Sequence, residues 1–524
     1  MDDFSTEVLI LGGGGAGLSA AISARASGAE VCLASKSEIG VETCTAYAYG
    51  ALAGSFGQVS SGEALQRLQE KSGGLHHPDL ARVLAEHGAP VVEGLAEYGV
   101  KLEITDGRAM VSARPFRAGE ALTLPLTERA AKLGCRLLGP WAVADLRHEG
   151  DLSLVADLLH VQDGSTASVT CRAAVIATGG AAGIFGRSDN PGRTTADGLA
   201  LALRAGAHLI DVEFVQFVSP GICEPGVPFD GCYVGPLFPA GQLLTPEGEP
   251  IERTALDARW QEVAADPARG PQRYDLLLDL TGVPPAQWQD SERLRLIREL
   301  ILGDFPVTER PLRCSPLAHY TPGGIQINRR CATLAPGIFA AGEAAGGTFG
   351  AARPGGGALT DAIVFGAIAG RSAARYAASR PPVMAWAPPP RRQARGERPA
   401  SAVLQEAQET LWSHAALYRT EQGLSAGLSE LEELESHGLA TGEGPAERLA
   451  ALEARNCLLI GQALARSALI REETRGEHRR LDFPHAAEKW RSNIIVRLDQ
   501  EGNLRCCTVP YPAAHNTFDP PWLR

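Results

Sequence analysis

Apolar positions along this chain change their spacing several times, and each change marks an element. Residues 7–11 (EVLIL) form a short apolar run, as a strand buried on both faces requires. A run of glycines follows, then an alanine-rich stretch with helical character, LSAAISARA, then a second apolar strand ending at Ser35-Lys36. The pattern predicts a strand–helix–strand unit within the first 40 residues. Gly12, Gly14 and Gly17 fall in the spacing G-x-G-x-x-G, with Gly15 and Ala16 between them. That spacing suits a tight turn, close backbone approach to a pyrophosphate and helix-on-strand packing, with the phosphates at the helix N-terminus. Ser35 and Lys36 stand where a ribose-binding acid is usual, so this unit alone does not name the dinucleotide.

Further along, residues 43–57 are small and glycine-rich, suited to backbone lying against a flat ligand. A helix is predicted over 78–98, a second buried strand at 173–180 and an alanine-rich helix over 197–207. From 211 to 318 the periodicity is broken by Pro and Gly clusters, which marks an inserted domain. The first pattern returns at 337–343 (GIFAAGE), followed by a helix over 359–376. Residues 381–400 are rich in Pro and Arg and read as a linker. Helical periodicity then runs over 402–471, and a strand pair is predicted near 494–508. The organisation expected is a first domain over 1–210 and 319–380, an insertion over 211–318, a linker over 381–400 and a helical region with terminal strands over 401–524.

Composition narrows the partners. A formal charge of −12 disfavours nucleic acid or an anionic membrane as a partner. The eleven cysteines are scattered without a C-x-x-C pair, so no iron–sulfur or zinc site is expected and the metal expectation is none. Scattered cysteines, no basic leader and no run of 18 apolar residues lead to the expectation of a cytoplasmic protein without a membrane span of its own, docked on a membrane only through a partner.

Several separated motifs carry a resemblance. They are GGGGAGLSAA, Ser35-Lys36, ATGGAAGIFG at 177–186, TADGLALALRAGA at 195–207, DVEFVQF at 211–217, HYTPGGI at 319–325, GIFAAGEAAGG at 337–347, ARPGGGALTDAIVFG at 352–366 and ALIREETRGEHRR at 468–480. In this order they resemble the flavoprotein subunits of succinate dehydrogenase and fumarate reductase, a family that includes aspartate oxidase. The fold implied is α/β: a Rossmann-like FAD-binding domain with an inserted α+β capping domain and a C-terminal helical domain. The resemblance implies FAD, with its pyrophosphate over Gly12–Gly17 and its adenosine ribose near Ser35 and Lys36. It implies Asp197 in contact with the cofactor, Glu343 on the ribityl chain, and Ala358 and Leu359 against the isoalloxazine ring. Read from the residues alone, Glu343 serves equally as a hydroxyl acceptor or as an acid at a helix N-terminus. Many quinone-coupled members attach FAD to the histidine of an S-H-T motif. Here the segment is Thr43-Cys44-Thr45, so no histidyl bond forms there and dissociable FAD is expected, with Cys44 and Thr45 at the cofactor, Cys44 as a buried small side chain and a cysteinyl link through it as the alternative.

For substrate chemistry the resemblance implies two histidines and two arginines around a carbon–carbon bond next to a carboxylate. His319 matches one histidine and Arg353 the carboxylate-clamping arginine, whose planar fork suits bidentate binding. Where dicarboxylate enzymes read FVQFHPT, this chain reads FVQFVSP, with Val218 in place of the other histidine. Residues 235–241 (GPLFPAG) replace the T-E/R-G-E-G-G stretch, and an apolar lining from Val218, Leu237 and Phe238 would suit a bulkier, less charged substrate. Arg259 is the candidate proton-shuttling arginine, with Arg253 in reserve and a solvated helix face as the alternative. Arg475 and His478 are expected to be structural.

The expected activity is hydride transfer between flavin N5 and a carbon–carbon bond beside a carboxylate or thioester of a small substrate that is not a standard dicarboxylate. The alternatives are a flavin-bearing electron-transfer subunit with a decayed substrate site, and aspartate oxidase-like amine oxidation. An iron–sulfur or other electron-transfer subunit is the partner implied.

Overall fold

The structure is a computed structural model. It describes residues 3–524 apart from 113, 115, 151–152, 229–230, 236–240, 266–273, 384–395, 397, 441, 443, 517–519, 521 and 523–524. β1 (Phe4–Leu11), α1 (Gly15–Ala26) and β2 (Val31–Ala34) form the predicted unit, the strands parallel in the register Val8↔Val31 to Leu11↔Ala34. Residues 8–11 and 31–34 are buried, which is why both segments read as unbroken apolar runs. Gly12 has φ +114°, and a Cβ there would lie 2.2 Å from the Ala177 carbonyl oxygen. A Cβ on Gly17 would lie 1.9 Å from the Gly12 oxygen. The first glycine is required by its backbone conformation and the second by helix-on-strand contact.

The strand Thr166–Ile176 pairs parallel with β1 on one edge. Its other edge is shared, antiparallel with Ser153–His160 at one end and parallel with Ile338–Ala340 at the other. The chain thus returns at 338–340 to finish the sheet it began at residue 4. Against this sheet α1 packs along the helix Gly357–Ala378, where Cβ atoms on Gly366 and Gly370 would lie 2.4 and 2.1 Å from the carbonyl oxygens of Ala16 and Ala20. Larger side chains at either position would force the two helices apart.

The insertion is an antiparallel sheet ordered Gln216–Ile222, Leu312–Tyr320, Leu276–Asp279, Gln242–Leu244, Pro250–Ile251. It has its own core, including Ile222, Leu278, Trp288, Ile301 and Leu312. The strand Leu312–Tyr320 runs past residue 318, so His319 stands on a strand of the inserted sheet rather than beyond it. Three helices follow, Ala400–Ala415, Glu421–Ser436 and Pro445–Ile470, packed on one another through Leu411, Leu431 and Gly461. Most of the expected linker lies outside the described residues. The terminal strands Ser492–Leu498 and Leu504–Pro510 leave the helical region and complete a sheet with Leu209–Ile210, Gly324–Gln326 and Ala345–Gly346.

These parts meet at Arg471, just past the end of the Pro445–Ile470 helix and fully buried. Its Nε donates to Glu213 at 2.7 Å, Nη1 donates to Glu473 at 3.1 Å and to the Trp490 carbonyl at 3.1 Å, and Nη2 donates to the Ser492 carbonyl at 2.9 Å. Asp211, 3.6 Å from Nη2, accepts from the Ile494 N–H at 2.8 Å and from Asn493 Nδ2 at 2.6 Å. Replacing Arg471 by Met leaves Glu213 buried without its cation and takes one of its two arginines from Glu473, so unfolding free energy should fall by about 3–5 kcal/mol in urea titrations.

Candidate active site

The carboxyl ends of β1 and the Thr166–Ile176 strand, the first turn of the Gly357–Ala378 helix and the edge of the inserted sheet enclose a cavity of about 490 Å³. A parallel sheet leaves this crevice at its strand ends because the connections there diverge. Gly12 to Ala16, Ser35 and Lys36 line one end. Gly14 is the N-cap of α1 and contributes no capping side chain, while the Gly15 N–H donates to Thr45 Oγ1 at 3.1 Å. Lys36 Nζ donates to Asp197 Oδ2 at 2.6 Å, Thr195 Oγ1 at 2.9 Å and Glu453 Oε1 at 3.0 Å. Asp197 Oδ1 also accepts from Asn456 Nδ2 at 2.8 Å. Burial works against the Asp197 carboxylate, but the Lys36 charge and these hydrogen bonds hold its pKa below the ordinary value. Glu453 comes from the helical domain and has no signature in the sequence. Burial raises its pKa.

Midway, Thr43 caps the short helix Cys44–Tyr47 by accepting from the Ala46 N–H at 3.1 Å. The Cys44 thiol lines the cavity and donates to Asn190 Oδ1 at 3.0 Å. Burial pushes the thiol far up, so it stays protonated and is a poor nucleophile. Glu343 reaches the wall from the turn after the Ile338–Ala340 strand and accepts from the Thr321 N–H at 3.0 Å and Oγ1 at 3.3 Å. Burial pushes its carboxyl up to about 7. Asp361 on the neighbouring helix is likewise pushed up to about 7 by burial. Ala358 and Leu359, in the first turn of that helix, complete a small-sided wall with Gly355 and Gly356.

The far end is polar. His319 Nδ1 lies 2.7 Å from Asp189 Oδ2, and Asn190 Nδ2 donates to the His319 carbonyl at 2.8 Å. Arg353 Nη2 donates to Gln216 Oε1 at 2.7 Å, and its guanidinium stacks over Tyr320 at 4.5 Å. Its Nε is buried without a hydrogen-bond partner among the described residues. Gln216 in turn donates from Nε2 to Glu477 at 3.1 Å, and burial raises the Glu477 carboxyl. Val218 lines this end from the strand beside His319, where it pairs in register with Leu317.

The structure therefore brings His319, Arg353, Val218, Glu343, Asp197, Cys44, Thr45, Ala358, Leu359, Ser35, Lys36 and the glycine turn to one cavity. It does not bring Arg259 there. The Leu256–Ala264 helix buries Leu256 and Val263, and Arg259 turns instead to Glu247, 4.0 Å away. Arg253 also lies outside the cavity wall. Leu237 and Phe238 fall outside the described residues. His478 is buried: Arg419 Nη1 donates to its Nδ1 at 2.8 Å, and its Nε2 donates to the Arg471 carbonyl at 3.1 Å, a neutral structural imidazole whose pKa burial drives well down. Arg475 binds Glu473 and the Gly73 carbonyl. Asp189, Gln216 and Glu477 are site residues that the sequence reading did not single out.

Comparison with known proteins adds independent findings. The model of the FAD binding domain family matches residues 7–359, and that of the fumarate reductase flavoprotein C-terminal region matches 404–513. An uncharacterized FAD-dependent oxidoreductase of Methanocaldococcus jannaschii is 28% identical over 94% of this chain and 96% of its own length. One subunit of the fumarate reductase (CoM/CoB) of Methanothermobacter marburgensis is 28% identical over 95% of this chain and 98% of its own. Among solved structures, Mycobacterium smegmatis Sdh1 in complex with UQ1 superposes with a TM-score of 0.83, at 27% identity, over 97% of this chain and 95% of that one. Among the described residues no helix is long and apolar enough to cross a membrane.

Raised carboxyl pKa values make a pH prediction for the protein without bound cofactor. Glu343 and Asp361 hold a proton in the fold up to about 7 that they lose near 4 when unfolded. The folded state thus binds more protons across that interval, and their contribution to stability is full below it and is lost as pH rises toward 7. Thermal melts of the cofactor-free protein should show Tm falling across this range, with a shallower slope in Glu343→Gln.

Proposed function

The chain belongs to the succinate dehydrogenase and fumarate reductase flavoprotein family of FAD-dependent oxidoreductases, and from that premise we propose that it reduces or oxidises a carbon–carbon bond beside one carboxylate or thioester. The observation that carries this reading is Val218 in the cavity wall next to His319, an apolar side chain where a second carboxylate ligand would be needed.

Features of this chain support the fit to FAD. The glycine turn at the N-terminus of α1 leaves room for a pyrophosphate, Glu343 is a hydroxyl acceptor on the cavity wall, and the wall of Gly355, Gly356 and Ala358 suits a flat ring. When bound, FAD supplies the hydride donor and acceptor at N5. Arg353 holds one carboxylate or thioester carbonyl, because Gln216 and Tyr320 fix its plane while Nε stays unpaired. His319 takes the proton-donor role, since it lines the cavity and Arg259 does not. Asp189 fixes Nδ1, which leaves Nε2 as the ring nitrogen open to a substrate. Cys44 stays a hydrogen-bonded thiol, which supports FAD held without a covalent bond. An electron-transfer subunit, iron–sulfur or other, is the partner this reading assigns, in keeping with the subunit status of the Methanothermobacter relative.

Three measurements test the proposal. Acid precipitation should release all flavin into the supernatant; flavin retained in the pellet would contradict non-covalent binding. After anaerobic reduction, crotonate or an enoyl thioester should reoxidise the flavin faster than fumarate does, and Val218→His should shift the preference toward fumarate. Equal or faster reoxidation by fumarate in the unaltered protein would overturn the one-carboxylate reading. Asp189→Asn should lower turnover by roughly 10²-fold or more while flavin content is unchanged.

A further inference from the structure

The Gly357–Ala378 helix carries a second concave feature on the side turned away from the flavin cavity. A groove of about 820 Å³ lies between it, the Pro78–Glu93 helix and the turn at 329–330. Arg371 and Arg375 enter it from successive turns of the long helix, Arg380 from just past its end, and Arg329 and Arg330 from the turn, with His87 opposite. Among the described residues no carboxylate lines it. The chain has 61 acidic against 49 basic residues, so five arginines around one groove with no acid among the described lining residues run against its overall balance. Among the described residues none of the five has an ion-pair partner within 4 Å. Arg380 stacks its guanidinium over Tyr376 at 4.7 Å, and its Nε is buried without a hydrogen-bond partner among the described residues.

Helix dipole effects account for part of this. The negative end of the Gly357–Ala378 helix favours Arg375 and Arg380. It does not reach Arg329 and Arg330, which a separate turn brings to the same space. Cations that line one groove from two separate elements favour an anion between them. The arginine fork pairs bidentately with phosphate, and the groove has the size of a small-molecule site rather than the flatness of a membrane-facing patch. Val83, Val91, Val364 and Ile368 give it an apolar wall beside the cations. An apolar wall next to a cationic cluster matches a ligand with a polyphosphate at one end and a planar or apolar group at the other.

We propose that this groove is a binding site for an organic polyphosphate of nucleotide size, distinct from the flavin cavity and joined to it by one continuous helix. Ala358, Leu359 and Ala362 at the start of that helix face the flavin cavity, while Arg371 and Arg375 lie near its other end. At 1.5 Å of rise per residue, the step from Ala362 to Arg371 is about 14 Å along the axis.

Calorimetric titration of the FAD-loaded protein with ADP and with inorganic tripolyphosphate at low salt tests the site, while the flavin absorbance confirms that FAD stays bound. Binding of both should weaken roughly tenfold or more in the double variant Arg371→Ala/Arg375→Ala, and again in Arg329→Ala/Arg330→Ala, which changes a different element. It should also weaken as salt is raised. Tighter binding of ADP than of tripolyphosphate would support the apolar wall as part of the site. No binding of either probe at millimolar concentration overturns the proposal, as does ADP binding that both double variants leave unchanged. Binding of a polyglutamate peptide but of neither phosphate probe also overturns it, by assigning the arginines to an acidic protein partner.

Discussion

The buried guanidinium of Arg471 decides the arrangement of the rest. It draws together the start of the insertion through Asp211 and Glu213, the segment after the long helix through Glu473, and the return strand through Ser492. A cation without solvent is costly unless all its donors are used, and here each of its three nitrogens has a partner. The consequence reaches the cavity. Gln216 follows Glu213 by three residues and Glu477 follows Glu473 by four, and these two side chains bond each other and, through Gln216, hold Arg353. The orientation of Arg353 thus rests on an ion cluster outside the cavity wall.

A second constraint is the close approach of α1 and the Gly357–Ala378 helix. Gly366 and Gly370 admit the backbone of α1, so the glycine turn and the wall of Ala358 and Leu359 are fixed against one another. The alanine and glycine richness of both segments follows from this contact, since larger residues would open the cavity between them. Beyond that stripe the helix carries Arg371, which reaches Ser23 Oγ of α1 at 3.5 Å, and Arg375.

Much of this was legible in the sequence wherever the information was local. The glycine turn, the paired apolar strands and the returning GIFAAGE strand announce themselves because strand burial and glycine geometry act within a few residues. His319, Arg353 and Val218 were found through motifs, and all three line the cavity. What was not legible depends on contacts across the chain. Asp189 and His319 are 130 residues apart, and Glu453 reaches Lys36 across 417. No periodicity marks such pairs. Arg259 failed for the complementary reason: its local pattern of acids and arginines suits a helix, but the buried Leu256 and Val263 set which way that helix turns. The terminal strands were read correctly as strands, yet their sheet partners at 209–210 and 324–326 are decided by the tertiary fold alone.

On the proposed reading, selectivity at the polar end follows from what surrounds Arg353. Arg353 is nearly buried, and attraction between its guanidinium and a carboxylate is stronger in such surroundings than at a surface. A second carboxylate on the same substrate would gain nothing from Val218, with Glu343 on the wall and Glu477 behind Gln216. It would lose its hydration without an ionic partner, a penalty of several kcal/mol. The loss of one imidazole therefore does more than remove a contact. On the proposed reading it makes the charge that a dicarboxylate carries into the cavity a cost, while a thioester or an apolar group in the same place would meet Val218.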